Sequence, residues 1–216
     1  MSILVTCKQE NNIPHIHNHI DGLCLPSVTE IIHSQPMPWL DKWKAKVGVE
    51  RAERKLKLSN MIGTEFHRCV EEITKGIVPV PRCPRVVGML KTFNKWFDSV
   101  QVAPYETELK VYSKKYRYQG TLDMIGEIDG VLFLVDYKSS SGISSSMGLQ
   151  LAAYAEAYKE MTSKQIDLGK IVLVKKEKPS FPLVIKDYSL EKSLFDKFLR
   201  LREEFVDGPC PFAEKQ

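Results

Sequence analysis

An α/β sandwich with a helical N-terminal lobe is the architecture this sequence predicts. Three observations carry it. Apolar residues recur at helical spacing through Asn60–Ile73 and Val86–Val100, at strand spacing through Tyr105–Tyr112, Tyr118–Met124 and Val131–Lys138, and then alternate between the two spacings as far as Phe205. The order after the lobe reads β-β-β-α-β-β-α. The chain has 216 residues, enough for one sizeable core. Residues 1–216 therefore read as a single domain, mainly helical over 1–100 and α/β over 101–206.

Composition narrows the class. Hydrophobic residues at 43% and charged residues at 27% suit a soluble globular chain. The 31 Lys and Arg against 27 Asp and Glu leave a charge of +4, compatible with a polyanionic partner without demanding one. No apolar run approaches the ~20 residues that span a bilayer. The opening MSILVTCKQENN lacks the layout of a secretory signal. Together these predict an intracellular, non-secreted protein with no membrane partner. The five cysteines (Cys7, Cys24, Cys69, Cys83, Cys210) are odd in number and contain no C-x-x-C pair, which predicts reduced thiols rather than a disulfide framework or a zinc ribbon.

Residues 1–26 read as an irregular or strand-like lead-in. His15, His17 and His19 alternate, so on a strand they would share a face and could gather a metal. The Asn- and Pro-containing setting and the lack of a fourth ligand nearby point instead to solvated loop histidines. Ser27 followed by Glu30 forms a capping box for a short helix, Val28–His33. Pro36-Met37-Pro38 ends it, and a second helix starts near Trp39. Between Lys42 and Lys57 stand seven basic residues, a face that suits phosphate contact and equally suits plain solvation. In the next helix Ile62, Phe66, Cys69, Val70 and Ile73 make one apolar face, with His67 beside it and Gly63 and Glu71 one turn either way. A lone histidine edging an apolar face is ordinarily a satisfied core residue. It becomes a ligand only if an acidic site lies under the helix.

Such a site is offered by the stretch Gly120–Ser140. Two strand-like runs flank Asp129-Gly130, a dipeptide suited to a type I′ turn. With those two residues as the loop, Ile128 pairs with Val131 and every later pair sums to 259. Asp123 then faces Asp136, and Lys138 shares their side of the sheet. Ile125, Leu132 and Leu134 complete that side, while Leu122, Met124, Ile128, Val131, Phe133 and Val135 make the other side apolar too, as in a covered sheet. Two close carboxylates suit a hard divalent cation with oxygen ligands. The same trio also fits a plain structural salt bridge. The strand before the hairpin, Tyr105–Tyr112, pairs with Tyr118–Met124 across a basic turn of Lys114, Lys115 and Arg117, and it carries Glu106 and Glu108 on one face. After the hairpin comes a Ser-rich loop, 139–146, and then a helix, Met147–Met161, on which Gln150 and Tyr154 are neighbours one turn apart. Strands at Ile171–Val174 and Leu183–Ile185 and a helix at Leu190–Phe205 complete the order.

Asp123, the run Asp136-Tyr137-Lys138, the pair Gln150 and Tyr154, and the upstream Gly63-Thr64-Glu65-Phe66-His67 resemble, in that order, the PD-(D/E)XK nuclease superfamily in its RecB-like exonuclease branch. The resemblance covers about residues 60–190, with Leu122 where the proline of the name would stand. It implies a restriction-endonuclease-like core with a mixed central sheet flanked by helices. It further implies Asp123, Asp136, His67 and the Tyr137 carbonyl as ligands of one or two Mg²⁺ or Mn²⁺ ions. Lys138, Asp136, Asp123 and Gln150 become the catalytic set, and Gln150 and Tyr154 contact DNA, joined by the basic turn of Lys114, Lys115 and Arg117. Glu108 matches an acidic residue sometimes found on the first strand. Only Cys210 lies near the C-terminus, so no iron–sulfur cluster is expected.

Three functions stay open on these residues. The first is a metal-dependent deoxyribonuclease acting as an exonuclease on single- or double-stranded DNA ends in recombination, repair or phage DNA processing. The others are a structure-specific endonuclease or flap nuclease, and a non-catalytic nucleic-acid-binding module. Retention of all of Asp123, Asp136, Lys138, Gln150 and His67 favours an enzyme.

Overall fold

The structure is a computed structural model that describes residues 4–8, 14–20, 23–100, 103–128, 131–176 and 183–208. Asp129-Gly130 lies outside the described residues. The lead-in is more regular than expected: β1 (Leu4–Lys8), β2 (Pro14–Ile20) and β3 (Leu23–Leu25) form a 3-stranded antiparallel sheet. His15, His17 and His19 therefore lie on a strand, β2, and not in a loop. Pro14 stands at the strand's first position, where a missing N–H is tolerated, and Asn18 lies within the strand.

Ser27 caps α1 (Val28–His33) as the sequence predicts: its hydroxyl accepts from the Glu30 amide, and the Glu30 carboxylate accepts from the Ser27 amide at 2.8 Å. Then come α2 (Pro38–Val47), α3 (Val49–Thr74) and α4 (Pro84–Val100). The break between α2 and α3 falls at Gly48, whose φ of 88° favours a residue without Cβ. The core sheet consists of β4 (Ala103–Ser113), β5 (Tyr118–Ile128), β6 (Val131–Lys138), β7 (Leu168–Leu173) and β8 (Val184–Ser189), in that spatial order. Helix α5 (Ser146–Thr162) crosses between β6 and β7, which run parallel, and α6 (Lys192–Glu204) follows the last strand. All other core pairings are antiparallel.

Both faces of this mixed sheet are covered, which explains why β6 is apolar on both sides. On one face Ile62, Phe66 and Val70 of α3 and Val86, Met89 and Phe93 of α4 bury against Met124, Phe133, Val135, Tyr137 and Val172. On the other, α1, α5 and α6 bury Val28, Ile31, Leu151, Tyr158 and Phe198 against Leu122, Ile125, Leu134 and Ile171. The helices read as an N-terminal lobe thus include one whole layer of the core. Among the described residues no helix is long and apolar enough to cross a membrane.

Two readings need correction. Leu122 was assigned to the side opposite Ile125, yet both pack toward α5. The cause is a break in β5 at Asp123, described below. Cys24 takes part in a disulfide, against the expectation of reduced thiols, while Cys69 and Cys83 are free. Cysteine spacing along the chain does not reveal a bridge between residues that the fold brings together.

The α3–α4 connection is tied down by Glu65. Its carboxylate accepts from Arg68 Nη2 at 2.8 Å and from the Arg82 amide at 2.7 Å, and these bonds hold its pKa down to about 2 from the usual 4.5. A depressed carboxylate adds stability above its unfolded pKa and loses it as pH falls through the folded one. Wild-type protein should therefore exceed Glu65→Gln in urea midpoint above about pH 4.5, and the gap should close toward pH 2; a gap that is independent of pH would show that the ion pair is irrelevant.

Candidate active site

The hairpin ladder follows the expected register from Ile128↔Val131 to Met124↔Val135 and stops there. On its other edge β5 pairs with β4 at Met124↔Thr107 and Leu122↔Leu109 but omits Asp123 and Glu108. Glu108 has a left-handed φ of 50°, which a glutamate adopts only under local constraint. Asp123 thus stands at a gap in the pairing on both sides, and β5 changes face across it. In place of ladder bonds, Asp123 Oδ2 accepts from the Tyr137 amide at 2.6 Å, and Oδ1 lies 3.5 Å from Nδ1 of His67. The expected pairing of the two aspartates is replaced by strands that part where their carboxylates stand.

His67 reaches the site because α3 packs its Phe66–Val70 face on β5 and β6, so the condition set by the sequence is met. Asp136 is buried, with Lys138 Nζ at 2.7 Å from Oδ2, yet that oxygen has no hydrogen bond of acceptable geometry. Lys138 instead donates to Gln150 Oε1 at 2.8 Å, and Gln150 Nε2 donates to the Tyr154 hydroxyl at 2.9 Å. The i, i+4 pair on α5 therefore fixes the lysine.

The charges are set by this packing. Burial opposes ionisation of Asp123, but His67, Lys138 and the Tyr137 amide outweigh it and hold its pKa below the usual range. For Asp136, burial together with the Asp123 charge prevails over Lys138 and pushes its pKa up. Burial works against the charges of His67 and Lys138, and the neighbouring aspartates reverse it, raising both pKa values. Glu108 is pushed up to about 7 by burial, by Asp123 and by Glu71.

Asp123, Asp136, Lys138, His67, Gln150 and Tyr154 come together at one place. Tyr137 gives its amide to Asp123, while its side chain turns into the α3–α4 layer and its hydroxyl meets Met124 Sδ at 3.2 Å. Lys114, Lys115 and Arg117 stand elsewhere. The Lys114 and Lys115 amides donate to Glu160, and Arg117 approaches Asp207 at 4.0 Å. Glu160 lies ten residues beyond Gln150 on α5, about 15 Å along the helix. Three further residues border the site, of which Ser139 opens the Ser-rich loop that the sequence places next to it. His33, at the end of α1, has its pKa lowered by burial and by the charge of Lys138. Ser139 is buried and meets the open face of Gly63. Lys176 Nζ lies beyond it, donating to Ser59 O and Oγ at 2.7 Å. The parallel pairing of β6 with β7 brings the segment after β7 beside Lys138: the Val174 amide donates to Lys138 O at 2.8 Å.

The donor set suits a hard divalent cation. It offers carboxylate oxygens and one imidazole, with a buried Asp136 oxygen lacking a hydrogen bond. Among the described residues no three His, Cys, Asp or Glu side chains already stand at metal-binding separation. Asp123 is drawn to His67 and Asp136 to Lys138, interactions that a bound cation would exchange for its own.

Residues 82–215 match the model of the PD-(D/E)XK nuclease superfamily, and the chain belongs to that superfamily. It is similar to the CRISPR-associated exonuclease Cas4 of Francisella tularensis subsp. novicida (strain U112), with 27% identity over 132 residues, 60% of this chain and 57% of that protein. It is also similar to the human mitochondrial genome maintenance exonuclease 1, with 28% identity over 206 residues, 85% of this chain and 58% of that protein. The chain thus spans less than two thirds of the length of these relatives. A solved structure, that of SSO0001, aligns over 82% of this chain and 73% of its own at 15% identity and a TM-score of 0.44.

The Tyr154 ring lies directly over Gly120 of β5, where an added Cβ would stand 2.4 Å from Tyr154 Cε1. Gly120→Ala should therefore displace Tyr154, release Gln150 from it and lower stability by about 1–3 kcal/mol. Thermal unfolding measures this, and a melting temperature equal to wild type would show that the ring moves freely.

Proposed function

We propose that this chain hydrolyses DNA phosphodiester bonds with a divalent cation, Mg²⁺ or Mn²⁺, working from a DNA end. One observation carries the reading: a half-buried and a buried aspartate stand at a break in the sheet, Asp123 beside a histidine and Asp136 beside a lysine held by Gln150 and Tyr154. Membership of a nuclease superfamily supports hydrolysis, and the names of both curated relatives support action as an exonuclease.

Asp123 and Asp136 would hold the cation, helped by His67 and the Tyr137 carbonyl. The bound ion supplies positive charge that screens the phosphoryl oxygens and makes a water molecule more acidic. Lys138 stands where its ammonium orients the attacking water and offsets the charge that builds at phosphorus. Gln150 fixes that ammonium by accepting a hydrogen bond from it, and Tyr154 fixes Gln150 in turn. The water oxygen bonds to phosphorus and gives up a proton to solvent, the bond from phosphorus to the leaving oxygen breaks, and that oxygen takes up a proton from solvent. Partial burial of Lys138 strengthens its interaction with a bound phosphate.

Purified protein should release label from end-labelled linear DNA with Mg²⁺ or Mn²⁺ and fall silent with chelator. Asp136→Ala and Lys138→Ala should each lower the rate by about 100-fold or more while keeping the wild-type melting profile. Covalently closed circular DNA should survive. Normal turnover by Asp136→Ala would refute the assignment, and rapid cutting of the closed circle would replace the exonuclease with an endonuclease.

A further inference from the structure

The three histidines of β2 belong to no part of the catalytic set, and the pairing of the N-terminal sheet gives them a neighbour that their spacing along the chain hides. His15, His17 and His19 stand at alternate positions, so they share one face of the strand. Cys7 of β1 lies directly opposite His15 in the antiparallel ladder, and residues so placed share a face with Cβ atoms about 5 Å apart. His17 is opposite Val5, and His19 is opposite Cys24 of β3. The other face carries Leu4, Ile16, Ile20, Leu23 and Leu25, of which Leu25 is fully buried. The histidines are therefore not on the face that supplies the core. Cys24 is in a disulfide, and its partner is neither Cys69 nor Cys83, which are free. Nor is it Cys7. The two flank β2 from opposite sides, about 10 Å apart across the sheet and about 13 Å along it, far beyond the ~7 Å that a disulfide spans. Cys7 is thus not consumed by Cys24.

We propose that Cys7, His15 and His17 bind a zinc ion on this face of the N-terminal sheet, a second metal site separate from the catalytic one and different in chemistry. A thiolate and two imidazoles select zinc or a similarly soft ion, whereas the carboxylates of Asp123 and Asp136 select a hard one. Two imidazoles at alternate positions of one strand, with a third ligand on the neighbouring strand, surround a point above the sheet. Their Cα positions fall within about 8 Å of one another, a gap that zinc bonds of about 2.3 Å to sulfur and 2.0 Å to nitrogen can close. His19 stands about 13 Å from His15 along the strand, too far to share that ion, so solvent takes the fourth position. No preformed cluster stands there among the described residues, so the ion gathers its ligands, as at the catalytic site. The benefit is to the sheet. β1 has 5 residues and a single neighbouring strand, and so short an edge is weakly held by backbone bonds alone. A metal that takes one ligand from β1 and two from β2 pins it in register. The proposal does not rest on the nuclease reading.

The test is titration of the metal-stripped full chain with Co²⁺, a coloured stand-in for zinc, in excess Mg²⁺ to occupy the catalytic carboxylates. Wild type should develop the thiolate-to-cobalt charge-transfer band and the strong visible bands of a tetrahedral ion, and Zn²⁺ should abolish both by displacement. Cys7→Ser should remove the charge-transfer band. His15→Ala and His17→Ala should each weaken cobalt binding by about 100-fold. His19→Ala, and the double variant Asp123→Asn with Asp136→Asn, should keep the bands of wild type. A wild type without the charge-transfer band overturns the site. So does a band that survives Cys7→Ser, or one lost in His19→Ala or in the aspartate double variant. Because a substitution can unfold so small a sheet, X-ray absorption of zinc-loaded wild type reads the ligands without any variant. A shell of one sulfur and two imidazole nitrogens supports the site, and a shell of oxygen alone overturns it.

Discussion

The gap in strand pairing around Asp123 is the constraint from which the rest of the site follows. A central strand normally spends its backbone bonds on both neighbours. Here β5 lacks a ladder partner at Asp123 on either edge, and Glu108 is held in a left-handed conformation opposite it. The gap lets the Asp123 carboxylate take the Tyr137 amide instead, and lets β5 rotate so that Leu122 and Ile125 both face α5. It also leaves two acidic groups in surroundings that penalise charge, which is why Asp136 is pushed up while Asp123, next to His67, is held down.

Everything around the gap restrains it. The two apolar layers fix β5 and β6 from both faces, and α3 brings His67 in as part of the same packing that buries Phe66 against Phe93. From the other layer α5 supplies Gln150 and Tyr154, and Tyr154 is seated by the missing Cβ of Gly120. A polar network inside such packing stays fixed only while each member has its partner. The lysine, glutamine and tyrosine satisfy one another in series.

Much of this was legible in the sequence. The capping box of Ser27 and Glu30, the pair sum of 259 and the i, i+4 relation of Gln150 to Tyr154 are local rules, and local rules survive folding. Non-local geometry was not legible. The parallel pairing of β6 with β7 brings Lys176 to the site from a turn that looked merely basic, and nothing in the local pattern announces it. The side change at Leu122 was missed because strict alternation assumes unbroken pairing, whereas Glu108 interrupts it. The basic turn at Lys114, Lys115 and Arg117 looked close to the hairpin in sequence, yet it sits beside Glu160 at the other end of α5.

The account depends on a cation being held where β5 and β6 part. Manganese binding followed by electron paramagnetic resonance addresses this most directly. Wild-type protein should bind Mn²⁺ tightly, and Asp123→Asn and Asp136→Asn should each lose that binding while remaining folded. Binding that persists unchanged in both variants would place the ion elsewhere and leave the parted strands without their proposed purpose.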